Sequence, residues 1–150
     1  YFQDPVQILA AGTIGVCAAG DNILGSLNGV FFTDATTSKP TFANHLNASN
    51  TASDIKGFVT DDPYQRYEVQ ADGATAAADV GLNADIAYTA GSSPDYVSKV
   101  ELDTSDQKTG TAQLRIMGIS KDPSNNTAGS ANVNLVVMIN EHFLKGTAGI

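Results

Sequence analysis

The chain has 150 residues, the size of one domain, and 42% of them are hydrophobic, enough for one packed core. Only 16% are charged and the net charge is −8, an acidic balance that argues against binding a phosphate backbone. No apolar run approaches the ~20 residues a membrane-spanning helix needs, and a single cysteine excludes an internal disulfide framework.

The chain opens on Tyr1-Phe2-Gln3 without a methionine, which reads as native sequence with its N-terminal stretch missing. Val6 to Ala11 and Thr13 to Ala18 are two short apolar runs parted by Gly12, and so short a link predicts a hairpin. Cys17, inside the second run, reads as a buried, inert thiol. Ile23 to Phe32 is the next strand, interrupted by Gly25 and Gly29, each a bulge or a close backbone approach. Thr33 to Ser53 is a long polar excursion, rich in Thr, Ser and Asn, with Pro40 and the apolar anchors Phe42 and Leu46. Loops of that length inside one domain are commonly functional, so this one is expected to pack on a neighbour.

Strands resume at Lys56 to Thr60 and at Tyr64 to Gln70, where Tyr67 and Val69 share one face while Arg66, Glu68 and Gln70 share the other. From Gly73 to Gly81, a Thr that can cap, an alanine run and a terminal glycine predict one short helix of two turns at most. Asp85 to Thr89 and Tyr96 to Leu102 read as strands separated by Gly91-Ser92-Ser93-Pro94. In Thr111 to Ile119, Leu114 and Ile116 take one face, Gln113 and Arg115 the other. Asn132 to Glu141 places Val133, Leu135, Val137 and Ile139 on a single apolar face. About nine strands and one short helix make a single all-β domain over residues 1–150, either a β-sandwich or a partly closed β-barrel.

Catalytic chemistry is hard to find in this pattern. His45 and His142 are isolated, with no Cys or His beside them to form a zinc set. Neither a nucleophile elbow, a phosphate-cradling loop nor a metalloprotease helix motif occurs. Asp61-Asp62-Pro63 and the Asp79–Asn83–Asp85 series lack calcium-loop spacing and read as turn and capping residues. The Asn-X-Ser/Thr matches at Asn47 and Asn125 carry no weight in so asparagine-rich a chain. The expectation is therefore no enzyme, no cofactor and no metal. Arg66 and Arg115, the chain's two arginines, lie opposite apolar strand faces. They read equally well as interface residues or as cross-strand partners of Glu68 or Glu101.

The ordered series Asp4-Pro5-Val6, Ile23-Leu24-Gly25, Val59-Thr60-Asp61-Asp62-Pro63 and Tyr67-Glu68-Val69-Gln70 resembles capsid decoration, or cement, proteins of tailed bacteriophages. It continues through Asp79-Val80-Gly81-Leu82-Asn83-Ala84-Asp85-Ile86 and Leu114-Arg115-Ile116-Met117-Gly118 to Val137-Met138-Ile139-Asn140-Glu141-His142, covering essentially the whole chain. It departs at Gln3, where that group often has glycine. The resemblance implies a virion structural protein on the outer capsid surface, a homotrimer that clamps neighbouring major capsid subunits. A phage tail or fibre component and an extracellular binding module are the alternatives. Candidate interface residues are Lys39, Pro40, Phe42, His45, Tyr64, Arg66, Arg115 and His142, with Thr33–Ser53 and the missing N-terminal stretch supplying reach.

Overall fold

The computed structural model describes residues 1–145. Eleven strands run through it: β1 (Pro5–Ile8), β2 (Ile14–Val16), β3 (Gly25–Thr33), β4 (Pro40–Ala43), β5 (Lys56–Thr60), β6 (Arg66–Gln70), β7 (Asn83–Ala84), β8 (Ile86–Ala87), β9 (Glu101–Leu102), β10 (Leu114–Ile119) and β11 (Asn134–Ile139). They form a five-stranded sheet in which β3 pairs with β1, β4 and β5, and a four-stranded sheet ordered β6-β11-β10-β7. A β8–β9 ribbon completes the set. Every strand pair is antiparallel and no sheet closes on itself, so the domain is all-β and sandwich-like.

The alternation in the sequence sets which faces are buried. Leu114 and Ile116 of β10 and Leu135, Val137 and Ile139 of β11 point inward and pack with Val133, Leu102, Ile86, Cys17 and Ile23. A smaller cluster of Val6, Leu27, Val30 and Phe32 lies under the five-stranded sheet. The expected β1–β2 hairpin forms, with Val6 opposite Val16 and Ile8 opposite Ile14. Both glycine expectations in β3 hold. Gly29 sits at a register shift with φ +146, and a Cβ on Gly25 would run into the Thr60 carbonyl oxygen.

The segment between β2 and β3 ties the sheets together. Ile23 donates its N–H to the Glu141 carbonyl at 3.0 Å and accepts from the Phe143 N–H at 2.9 Å. From the four-stranded side, Gln113 Nε2 donates to the carbonyls of Ala18 and Asp21, both at 2.8 Å. Tyr67 adds a third tie, its hydroxyl donating to the Thr60 carbonyl at 3.2 Å.

Four local expectations are corrected. The Gly73–Gly81 helix is a single 3-10 turn, Ala77–Asp79. Thr75 does not cap it, because its buried hydroxyl accepts from Gln107 Nε2 at 3.2 Å, while the Asp79 carboxylate takes the Ala76 N–H. The excursion after β3 is partly ordered as a strand, since β4 pairs Thr33–Pro40 through Val30–Ala43. The strands expected over 85–89 and 96–102 shrink to β8 and β9, as Tyr96 adopts φ +53, a turn conformation foreign to strands. Finally, Gln113 is buried rather than exposed with Arg115, because it precedes β10 and turns toward the β2–β3 segment.

Candidate docking surfaces

Two exposed sheet faces and one buried junction account for the residues the sequence singled out, except His45. On the outer face of the five-stranded sheet, Phe42 of β4 lies directly opposite Phe31 of β3. Their ring centroids are 4.8 Å apart, and Phe42 stacks on Phe58 of β5 at 5.9 Å. Period-two alternation turns these rings outward, since Val30 and Phe32 on either side of Phe31 face the core. Phe42 is 73% exposed and Phe58 48% exposed, so the cluster is an apolar patch open to solvent. Lys39 and Pro40, both exposed, border it where β4 begins. Phe31 and Phe58 are members of this patch that the sequence reading passed over, and their signal was an aromatic at the outward position of a strand.

His45 follows β4 but turns away from that patch. It is half-buried, its ring parallel to Tyr96 with centroids 3.8 Å apart, and Tyr1 lies parallel at 6.2 Å. Its Nδ1 is 2.8 Å from Asn44 Oδ1, so the ring is engaged within the chain.

The outer face of the four-stranded sheet carries the arginines. Arg66 of β6, Met138 of β11, Arg115 of β10 and Asn83 of β7 occupy one row across the sheet, in register. Arg115 Nε donates to Asn83 Oδ1 at 3.1 Å. Neither arginine forms an ion pair among the described residues, where Lys108 is the side-chain cation that does, with Asp85 and Asp106. The expected cross-strand partner Glu68 instead accepts from Asn134 Nδ2 at 3.0 Å. Tyr64 projects beside this row with 73% of its surface exposed, and Lys145 Nζ sits 4.8 Å from its ring centroid. Burial, and then the positive charge of Arg115, lower the Lys145 pKa, partly offset by Asp62.

His142 is a correction. It is 1% exposed, enclosed at the junction where Ile23 bridges to the chain after β11, and presents no surface to a partner. Its Nδ1 accepts from the Leu144 N–H at 3.0 Å, and Nε2 has no partner among the described residues. Burial, and then Lys145, push its pKa below the usual 6.5, against smaller opposing effects of Asp61, Asp62 and the Leu24 backbone.

Between the sheets lies a cleft of about 450 Å³ with an apolar floor that includes Ile23, Leu114, Val137 and Ile139. Tyr67 lines it, but its hydroxyl is committed to Thr60. Cys17 is buried, and burial with the nearby Asp21 charge pushes its thiol up to about 12, which removes the thiolate at neutral pH. Among the described residues no group of three or more His, Cys, Asp or Glu side chains is placed to hold a metal. Asp62 accepts from the Tyr64 N–H at 2.8 Å, as its turn reading requires, whereas Asp85 and Asn83 bond remote backbone at Gln113 and Gly110.

Comparison with protein-family models, curated proteins and solved structures finds no match to this chain.

Proposed function

We propose that this chain is a non-enzymatic virion structural protein that binds the outer surface of a tailed-phage capsid and stabilises it by bridging major capsid subunits. The observation that carries the reading is the exposed Phe31–Phe42–Phe58 cluster, three aromatic rings in contact through Phe42 on one sheet face of an acidic chain. Burying a fully exposed large apolar side chain is worth about 1.5–3 kcal/mol, so covering the exposed parts of Phe42 and Phe58 contributes to a docking energy. The rigid sheet beneath holds the rings in register, which lowers the ordering cost of association. The resemblance of the ordered motifs to those of decoration proteins supports the choice of shell as the partner.

Stabilisation on this reading is by mass action, because a ligand that binds only the assembled shell favours that state. Assembly as a homotrimer belongs to the same reading and adds avidity, since linked copies engage several capsid subunits at once. No cofactor, nucleic acid or membrane enters the mechanism.

The test is co-sedimentation of the purified chain with empty heads and, separately, with isolated tails of the encoding phage. Pelleting with heads, together with raised heat resistance of those heads, is the expected result. Pelleting with tails alone would move the assignment to a tail or fibre component. Indifference to both, with affinity for cells or glycans, would move it to an extracellular binding module. Because β4 is a paired strand, substitution of Phe42 is a cleaner probe of the contact than deletion of the excursion.

A further inference from the structure

The opposite exposed face, on the four-stranded sheet, has a different chemistry from the aromatic patch. Four of the chain's eight Lys and Arg residues gather on it or at its rim: Arg66, Arg115, Lys121 and Lys145. On a chain of net charge −8 this is a local concentration of positive charge, with Glu68 and Asp122 at the groove and Asp62 near Lys145. Both methionines are here too, Met138 between the two arginines in the row and Met117 at the bulge of β10. Arg, Met and Tyr are the residues enriched where proteins bind proteins.

The geometry of the row is that of a reader of paired carboxylates. Arg66 and Arg115 stand on strands separated by β11, so their backbones are about 10 Å apart, twice the usual strand spacing. Met138 fills the space between, and Val136 stands in the next row, between Glu68 and Gly118. A shallow groove of about 500 Å³ runs beside the row, lined by Arg66, Glu68, Met117, Val136 and Lys121. The acids at this groove are already engaged, Glu68 by Asn134 and Asp122 by the N–H and hydroxyl of Ser124 at 3.0 and 2.9 Å. The guanidiniums are not matched by any carboxylate among the described residues, and a planar fork pairs with carboxylates bidentately.

We infer that the outer face of the β6-β11-β10-β7 sheet is a second docking surface, and that its occupant is an extended segment of a partner protein in which acidic and apolar residues take turns at every second position. That spacing suits it, because side chains two apart leave an extended chain on the same face, so carboxylates meet Arg66 and Arg115 while the apolar side chain between them covers Met138. A nucleic acid fits less well, since the row is interleaved with apolar side chains that a continuous line of phosphates leaves uncovered. The surface goes beyond the aromatic contact proposed above and makes the chain two-sided.

The experiment is an NMR titration of the full chain with a synthetic peptide that carries glutamate, leucine and glutamate at every second position, with serine between them. It uses no phage heads, so its outcome is independent of whether the head-binding proposal stands. Shifts concentrated on β6, β10 and β11 are expected, weakening as ionic strength rises. Arg66→Glu and Arg115→Glu should each weaken binding about tenfold or more. Phe42→Ser should leave it unchanged. Both arginines are exposed, and a retained wild-type spectrum in each variant confirms that the fold is intact. The inference is overturned if the peptide does not bind, if its shifts fall elsewhere, or if the arginine variants bind it as well as wild type. Equal binding of a lysine–leucine peptide, or tighter binding of a single-stranded DNA oligonucleotide at the same residues, overturns it as well.

Discussion

The side-chain amide of Gln113 donates to the Ala18 carbonyl at 2.8 Å, across 95 positions of sequence, and so links the four-stranded sheet to the segment that feeds the other one. The same amide reaches the Asp21 carbonyl, and Oε1 accepts from the Ile86 N–H at 3.1 Å. All of this happens at a residue that is 0% exposed, where unpaired polar groups are costly.

Replacing Gln113 by Leu therefore leaves one buried donor and two carbonyls without this partner. The expected loss is about 3 kcal/mol or more, read from urea unfolding monitored by circular dichroism. Gln113→Glu keeps an acceptor for Ile86 but loses both donors, and is also expected to be destabilising. A change below about 0.5 kcal/mol in the Leu variant would show that water replaces the amide at this junction.

Gly25 and Gly118 offer a matched pair in two different sheets. A Cβ on Gly25 meets the Thr60 carbonyl, which is rigid backbone held by the β3–β5 ladder, whereas a Cβ on Gly118 meets nothing within 4 Å. Gly25→Ala is expected to destabilise by roughly 3 kcal/mol or to prevent folding, and Gly118→Ala to stay within about 0.5 kcal/mol. Thermal unfolding of the two variants side by side checks this.

His142 gives the fold a pH dependence of defined sign. Its pKa in the folded chain lies below the unfolded value of 6.5, chiefly through burial. As pH falls, the unfolded chain takes up the proton first, so stability present above 6.5 is lost as pH drops toward the folded value. Asp34, Asp54, Asp106 and Asp122, all held below their usual 3.8 by hydrogen bonds, act in a separate and more acidic window. Thermal midpoints measured between pH 7 and about 5 should fall in wild type and flatten in His142→Leu. An unchanged slope in the variant would assign the effect to other groups.

The aromatic patch predicts a separation of stability from binding. Phe42 is mostly exposed and rests on Phe31 and Phe58, so Phe42→Ser should cost less than about 1 kcal/mol. Binding of a hydrophobic dye to the native chain should fall in that variant. A large loss of stability would instead make Phe42 a structural residue of the sheet edge.

Much of this architecture was legible before any coordinates. Val133, Leu135, Val137 and Ile139 repeat with a period of two, and that pattern alone places the inner face of β11. The glycines of β3 were legible as a bulge and a close approach for the same local reason. What stayed hidden depends on partners far away in sequence. Gln113 looks like an outward residue until Ala18 and Asp21 arrive to satisfy it, and His142 looks like a surface histidine until Ile23 closes over its segment. The Thr33–Ser53 segment lacks strand composition, and Pro40–Ala43 becomes a strand because β3 offers it an edge. Arg66 and Arg115 were legible as exposed arginines, but their common row required the register of β11 between them.

The most direct measurement is a cryo-electron microscopy difference map of the proposed partner, empty tailed-phage heads, with and without the added chain. The account predicts new density on the outer surface, with the β3–β4–β5 face and Phe42 against the shell, and its loss when Phe42→Ser is added instead. Absence of added density on heads at saturating protein, or density with that aromatic face turned to solvent, would contradict it.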